Sequence, residues 1–229
     1  MREIKAICFD LDDTLWDLMS VISHAENTIY HWFEQNYPRV AQRYSPADLR
    51  RLRTEVANAH PEYHHDLMRL RMICYERIAT DCGYQKSMSR EAFDAFQVAR
   101  NEVTLFDDVL PALQKLSNGY PLFTLSNGNA DLRVIGLDQW FRDSYTAADI
   151  GVAKPDPHIY RTVCERTGFA PEQLLHVGDD PHNDIYGPAA IGMPAVWINR
   201  GERIWPDDLP EPLHEISDMQ QLPELLADS

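Results

Sequence analysis

The chain has 229 residues, 44% of them hydrophobic and 10% aromatic, and a net charge of −15. This is ample for one large domain or two small ones and argues against disorder, while so acidic a surface repels nucleic acid and anionic lipid. No stretch approaches the roughly 18 apolar residues of a membrane span, and Met1 leads into the first strand without a signal-like segment. Cys8, Cys74, Cys82 and Cys164 are scattered without metal-ligand spacing, as expected of reduced thiols in a cytoplasmic protein.

Ile4, Ala6, Ile7, Cys8 and Phe9 form a short apolar run without alternation, the pattern of a strand buried on both faces of a parallel sheet. It ends in Asp10, Asp12 and Asp13. Asp is a common turn residue, so from this stretch alone a capped turn explains them as well as ligation does. From Trp16 onward helical periodicity takes over. Val21, Ile22, Ala25, Ile29, Trp32 and Phe33 share one face, and Ser45-Pro46 opens a helix with Leu49, Leu52 and Val56. Tyr63, Leu67, Leu70, Cys74 and Ile78 form a third face that ends near Gly83; Ser89, Phe93, Phe96 and Val103 form a fourth. Residues 16–105 therefore read as an all-helical insert.

From Asp107 helix and strand alternate. The pattern predicts a helix over 109–116 and a strand over 121–125 that ends in Ser126-Asn127-Gly128-Asn129. A helical stretch around 130–140 and a short strand over 144–147 follow. Lys154-Pro155-Asp156-Pro157 leads into a helix stopped by Gly168, and a strand over 174–177 ends in Gly178-Asp179-Asp180. A helix over 183–191, a strand over 195–198, a proline-rich loop over 206–212 and a helix over 218–227 complete the chain. Strands spaced by single helices predict an α/β fold, a doubly wound, Rossmann-like parallel sheet built from residues 1–15 and 106–229.

Such a sheet places the three polar strand ends on one rim, where ligands bind. Lys154 precedes a helix on the same side. Clustered carboxylates repel one another unless a cation offsets them, and Mg²⁺ takes oxygen ligands. Asp10, Asp179 and a main-chain carbonyl near Asp12 can supply them. The set suits phosphoryl transfer, which is mostly positioning and charge stabilisation. Asp10 is the candidate nucleophile, since an ionised carboxylate needs no base. Asp12 is placed to act as general acid and then base. Ser126, Asn127 and Lys154 are candidates for holding phosphate oxygens, and Asp184 for orienting metal waters. Singly, each has a plainer explanation: Ser126 as a turn cap, Lys154 as a surface lysine, Asp184 as a helix N-terminal acid, His176 as a core histidine, His64 and His65 as surface residues. The order in which they occur together carries the argument.

That combination resembles the haloacid dehalogenase superfamily over the whole chain. Its four motifs stand here as Asp10-Leu-Asp-Asp-Thr14, Ser126-Asn127, Lys154-Pro155 and Gly178-Asp179-Asp180-Pro-His-Asn-Asp184. The resemblance implies Asp10 as nucleophile, Asp12 as acid/base, and Ser126 and Lys154 as phosphate ligands. It implies Asp10, Asp12 (main chain) and Asp179 as Mg²⁺ ligands, with Asp180, Asp184 and Thr14 around them. The insert looks like the superfamily's helical C1 cap, which closes over the active site, with hinges expected near 16–17 and 105–107. True dehalogenases of the superfamily lack an aspartate two residues after the nucleophile, so Asp12 points to a phosphatase or phosphomutase.

The stretch from Pro61 to Arg71, with Ser126-Asn-Gly-Asn-Ala130 and Leu175-His-Val-Gly-Asp-Asp180, is similar to bacterial flavin mononucleotide phosphatases. Those enzymes also dephosphorylate a ribitylaminouracil phosphate in riboflavin synthesis. In that case Tyr63, His64, Asp66, Arg69 and Arg71 of the cap set specificity. A helix starting at Tyr63 would place His64 and Arg71 two turns apart on one face and make Asp66 and Arg69 neighbours, which a solvated ion pair explains equally well. The expectation is a Mg²⁺-dependent phosphomonoester hydrolase of a small phosphorylated metabolite, monomeric or homodimeric. A sugar phosphomutase and a non-catalytic binding protein on the same scaffold are the alternatives.

Overall fold

The structure, a computed structural model, describes residues 4–201 and 203–227. They divide into two units. One comprises the chain up to Asp17, Thr104–Gly128 and the chain from Leu132; the other comprises Leu18–Val103 and Asn129–Asp131. Among the described residues no helix is long and apolar enough to cross a membrane.

The helical unit contains α1 (Leu18–Asn36), α2 (Pro38–Arg43), α3 (Pro46–Ala59), α4 (Leu67–Asp81) and α5 (Ser87–Arg100). Its core is the apolar stripe of each helix, including Ala25, Ile29 and Phe33 from α1, Leu52 and Val56 from α3, Cys74 and Ile78 from α4, and Ala92 and Phe96 from α5. Ser45 opens α3 with a capping box: its Oγ accepts the Asp48 N–H, and the Asp48 carboxylate accepts the Ser45 N–H. The helix expected from Tyr63 begins only at Leu67, because Asp66 is its N-cap and Pro61–Tyr63 is a separate 3₁₀ turn. Asn129–Asp131 joins this unit through α5: Asn129 Nδ2 donates to Gln97 Oε1 (3.1 Å), and the Asp131 N–H to Asn101 Oδ1 (2.8 Å).

The other unit is built on six parallel strands, β1 (Ala6–Phe9), β2 (Leu122–Ser126), β3 (Asp143–Thr146), β4 (Leu174–Gly178), β5 (Ala195–Ile198) and β6 (His214–Ile216). Their order is β3-β2-β1-β4-β5-β6, the doubly wound topology that the sequence pattern predicts. Strands β1, β2, β4 and β5 are buried along their whole length, which explains their continuous apolar character. Helices α6 (Val109–Leu116), α7 (Leu132–Ile135), α8 (Ala147–Ile150), α9 (Pro157–Thr167), α10 (Gly187–Ala189) and α11 (Gln221–Ala227) complete it.

Three expected elements of this unit differ, and one strand is new. The helix over 130–140 is broken into α7 and a 3₁₀ turn at Asp138–Trp140, with Gly136 at φ 85° between them. The helix over 183–191 is a π-helical turn, Pro181–Tyr186, followed by the short α10. The terminal helix starts at Gln221 rather than 218. Strand β6 was not expected; it is a three-residue edge strand whose partner is β5.

Candidate active site

Register sets the site. Phe9 pairs with Thr124 of β2 and with Val177 of β4, so Asp10, Ser126 and Asp179 leave the carboxyl ends of adjacent strands together. The order switches direction beside β1, the place where open α/β sheets bind ligands. The Asp10 N–H continues the ladder by donating to the Val177 carbonyl (2.8 Å).

Lys154 lies at the centre. It is buried, and its Nζ donates to Asp10 Oδ1 (2.6 Å) and Asp184 Oδ1 (2.7 Å). Its backbone is braced by Asn127: the Lys154 N–H donates to Asn127 Oδ1 (2.8 Å), and Asn127 Nδ2 donates to the Lys154 carbonyl (3.1 Å). The Asn127 side chain thus positions the lysine, a different task from the phosphate contact expected of it. Ser126 is buried, and its Oγ accepts the Gly128 N–H (2.8 Å), so the turn-cap role is realised while the hydroxyl hydrogen can still donate.

Asp184 is fully buried and accepts from Lys154, from His176 Nε2 (2.9 Å) and, through Oδ2, from the Asp180 N–H (3.0 Å). Gly178 permits this: a Cβ there would fall well inside contact distance of the Asp184 carboxylate. His176 is the core histidine that its place within β4 suggested. Asp180 spends Oδ1 on capping the π turn, accepting the His182 and Asn183 N–H groups (3.0 and 2.7 Å). Asp179 Oδ2 accepts from Arg203 Nη2 (3.0 Å), and its carbonyl accepts from Arg203 Nη2 (2.6 Å) and Trp197 Nε1 (2.7 Å). Single oxygens of Asp10, Asp179 and Asp184 lie within 4.8 Å of one another.

Electrostatics follows from burial of this charge. Burial pushes the Asp10 carboxyl up, Lys154 pulls against it, and the Asp184 charge adds to the rise. Asp179 is pushed up to about 7 by burial and by Asp184, with Arg203 opposing. Asp184 overcomes its burial through Lys154 and the His176 bond and is held below the usual carboxylate range. Burial works against the charge of Lys154, yet Asp10 and Asp184 outweigh it and raise the lysine, which stays an ammonium. Burial lowers His176, so it is neutral at pH 7 and donates from Nε2.

The loop after Asp10 is tightly wound. Asp13 has φ 59°, its N–H donates to the Trp16 carbonyl, and Trp16 Nε1 donates to Asp12 Oδ1 (2.8 Å). Thr14 is buried; its carbonyl accepts from Arg200 Nε and Nη2 (3.2 and 3.0 Å). Trp16 was expected only as a hinge, and Arg200 and Arg203 escaped the sequence reading. The polar stretch Asn199-Arg200-Gly201 directly after β5 is the same strand-end signal that marked the other three loops.

The residues expected to set specificity belong to the helical unit, where each has a partner. The Tyr63 ring stacks with His60, and the Arg69 guanidinium lies 5.7 Å from its centroid. His64 Nε2 donates to the Ala57 carbonyl (2.9 Å). Asp66 accepts the main-chain N–H of Arg69 (2.9 Å), so it is a helix cap rather than half of a side-chain ion pair. Arg71 lies 3.5 Å from the Phe96 centroid. His64 precedes α4 and so shares no helix face with Arg71.

Comparison with known proteins agrees with this geometry. Residues 4–192 match the haloacid dehalogenase-like hydrolase family. The chain is 33% identical over 202 residues to the 5-amino-6-(5-phospho-D-ribitylamino)uracil phosphatase YigB of Escherichia coli K12, covering 86% of this chain and 84% of that one. It is 29% identical over 208 residues to a glyceraldehyde 3-phosphate phosphatase of Methanopyrus kandleri, covering 87% and 85%. Among solved structures, a 2-haloacid dehalogenase of Pseudomonas syringae pv. Tomato superposes with a TM-score of 0.92 at 34% identity, covering 98% of this chain and 99% of that one. A six-stranded doubly wound sheet with acidic loops at its switch point, matched over most of its length by these enzymes, makes the chain a member of the haloacid dehalogenase-like hydrolases.

Proposed function

We propose that the protein is a divalent-cation-dependent phosphomonoesterase with Asp10 as nucleophile and Asp12 as general acid and base. The observation that carries this reading is the cluster of Asp10, Asp179 and Asp184 around Lys154. Three buried carboxylates face one buried ammonium, and the excess negative charge helps push Asp179 up to about 7. An all-oxygen donor set with surplus negative charge fits a hard cation such as Mg²⁺. Asp10, Asp179 and the main-chain carbonyl of Asp12 would hold it. Asp184, already engaged by Lys154, His176 and the Asp180 N–H, positions the lysine. The cation would neutralise and polarise the phosphoryl oxygens.

The chain's own groups do the rest. An Asp10 carboxylate oxygen attacks phosphorus, and the bond from phosphorus to the ester oxygen breaks as Asp12 protonates the leaving alkoxide. Water then attacks the aspartyl-phosphate, Asp12 takes its proton, and inorganic phosphate leaves Asp10. The Trp16 bond fixes the Asp12 carboxylate for both steps. The Lys154 ammonium and the Ser126 hydroxyl bind phosphoryl oxygens where charge develops.

For the substrate we infer a phosphate on a ribityl arm attached to a heteroaromatic ring: flavin mononucleotide or a ribitylaminouracil phosphate. The name of the Escherichia coli relative supports this, as does the Pro61–Arg71 stretch. The four buried, unbridged cysteines support a reducing, cytoplasmic setting. A second reading, hydrolytic dehalogenation, is favoured by the likeness to the Pseudomonas syringae enzyme, while Asp12 argues for phosphate chemistry.

One panel tests both: p-nitrophenyl phosphate with Mg²⁺ or EDTA, flavin mononucleotide, ribitylaminouracil phosphate, glyceraldehyde 3-phosphate, and 2-chloropropionate with chloride detection. The expected result is Mg²⁺-dependent phosphate release, with the ribityl substrates leading in kcat/KM. Asp10→Asn removes the nucleophile and should lower the rate on the order of 10³-fold or more. Chloride release without phosphate release would replace this reading with the second.

A further inference from the structure

The segment after β5 touches both acidic loops of the rim, and nothing in the chemistry above uses it. Asn199 holds Arg203 at two points: its Nδ2 donates to the Arg203 carbonyl (2.8 Å), and its Oδ1 accepts the Arg203 N–H (2.8 Å). Asn199 is itself anchored to β6, with Nδ2 donating to Glu215 Oε1 (2.7 Å) and its N–H to the Ile216 carbonyl (2.7 Å). From this segment two arginines reach different loops.

Arg200 reaches the first loop. Its Nε and Nη2 both grip the Thr14 carbonyl, and Nη1 donates to Asp108 Oδ2 (2.9 Å). Its guanidinium lies 4.0 Å from the Phe106 centroid, and Asp108 Oδ2 also accepts the Met219 N–H (2.6 Å). Asp108 and the Phe106 ring therefore hold the guanidinium in addition to Thr14. Arg203 reaches the fourth loop and holds both the carbonyl and the carboxylate of Asp179 through one nitrogen. A lysine has no planar fork and ends one bond short of Nη2, so Arg200, which uses all three nitrogens, depends on shape as well as charge, and Arg203 on reach as well as charge.

We propose that Arg200 and Arg203, both carried close behind β5, form a clamp that fixes the two acidic loops of the active site relative to each other. This rests on the phosphomonoesterase reading for its consequence in turnover. Both are positioning residues. Arg200 sets the loop that carries Asp10 and Asp12, and Arg203 sets the rotamer of Asp179. Reacting groups misplaced by about 1 Å can lose on the order of 100-fold in rate, and loss of a partner to a metal ligand typically weakens cation affinity about 10- to 100-fold.

The test uses the full chain carrying Arg200→Lys or Arg203→Lys, which keep the charge but lose the fork at 200 and the last bond of reach at 203. Circular dichroism checks folding. Arg200→Lys should raise hydrogen exchange across residues 10–16 and lower kcat on p-nitrophenyl phosphate by about tenfold or more, with KM little changed. Arg203→Lys should weaken Mg²⁺ binding by about tenfold in calorimetry. If Arg200→Lys does not fold, Arg200→Gln takes its place in the exchange measurement. Wild-type exchange and Mg²⁺ affinity in the variants, a response in only one of them, or tighter Mg²⁺ binding in Arg203→Lys would overturn the clamp. A wild-type protein that hydrolyses no phosphate ester, with both shifts present in the variants, would instead sink the phosphomonoesterase reading and keep the clamp.

Discussion

At the scale of single residues, Asp179 shows the charge imbalance of the rim most directly. Burial and Asp184 push it up to about 7 against the pull of Arg203. The folded chain thus holds this proton more tightly than the unfolded chain does. The stabilisation is complete below the ordinary value of 3.8 and is lost as pH rises through about 7. The proposed divalent cation would bind the ionised carboxylate, so proton and cation would compete below pH 7 and no longer do so above it. The rise in Tm caused by millimolar Mg²⁺ should therefore be larger near pH 7.5 than near pH 5.5. Thermal denaturation with Mg²⁺ and with EDTA at the two pH values measures this, and equal shifts would contradict the assignment of Asp179 to the cation.

At the scale of elements, strand ends explain both what the sequence disclosed and what it hid. Strands β1, β2, β4 and β5 are buried runs of four or five residues, and their carboxyl ends carry Asp10, Ser126 and Asp179 where pattern alone placed them. Strand β6 was illegible because it is three residues long, lies at the sheet edge and begins with His214-Glu215. The π turn at Pro181 reads as helix because Asp180 caps it as it would cap one. The Asn127 brace and the arginine clamp link residues far apart in sequence, and no local period encodes such a link. Gly178 shows how an element makes the site. In Gly178→Ala the new Cβ meets the Asp184 carboxylate, which must leave Lys154 and His176 or push β4 aside. Overpacking of this kind costs about 1–3 kcal/mol, so Tm should fall along with Mg²⁺-dependent turnover. Gly119→Ala, whose Cβ would meet nothing within 4 Å, should keep a Tm near that of wild type. A Gly178→Ala protein as stable and active as Gly119→Ala would show that Asp184 does not need its seat against the strand.

At the scale of the whole molecule, the helical and sheet units each bury hydrophobic core of their own among the described residues. Helices α1 to α5 bury Phe33, Ile78 and Phe96 among themselves, while residues such as Ala6, Leu125, Ile159 and Leu174 pack on the sheet. The proposed cation ligands all come from the sheet unit, and binding stabilises what forms the site. A protein whose two units have separate cores need not unfold in one step. Calorimetry should resolve two transitions, of which Mg²⁺ raises the one belonging to the sheet unit. Phe33→Ala, which empties a fully buried position in α1 and should cost about 3–5 kcal/mol, should lower the other. The sign of each shift assigns each transition without dissecting the chain. A single transition, moved upward by Mg²⁺ and downward by Phe33→Ala alike, would show that the helical insert and the sheet unfold as one cooperative body. Cation binding at the rim would then stabilise the helical unit as strongly as the sheet that carries the ligands.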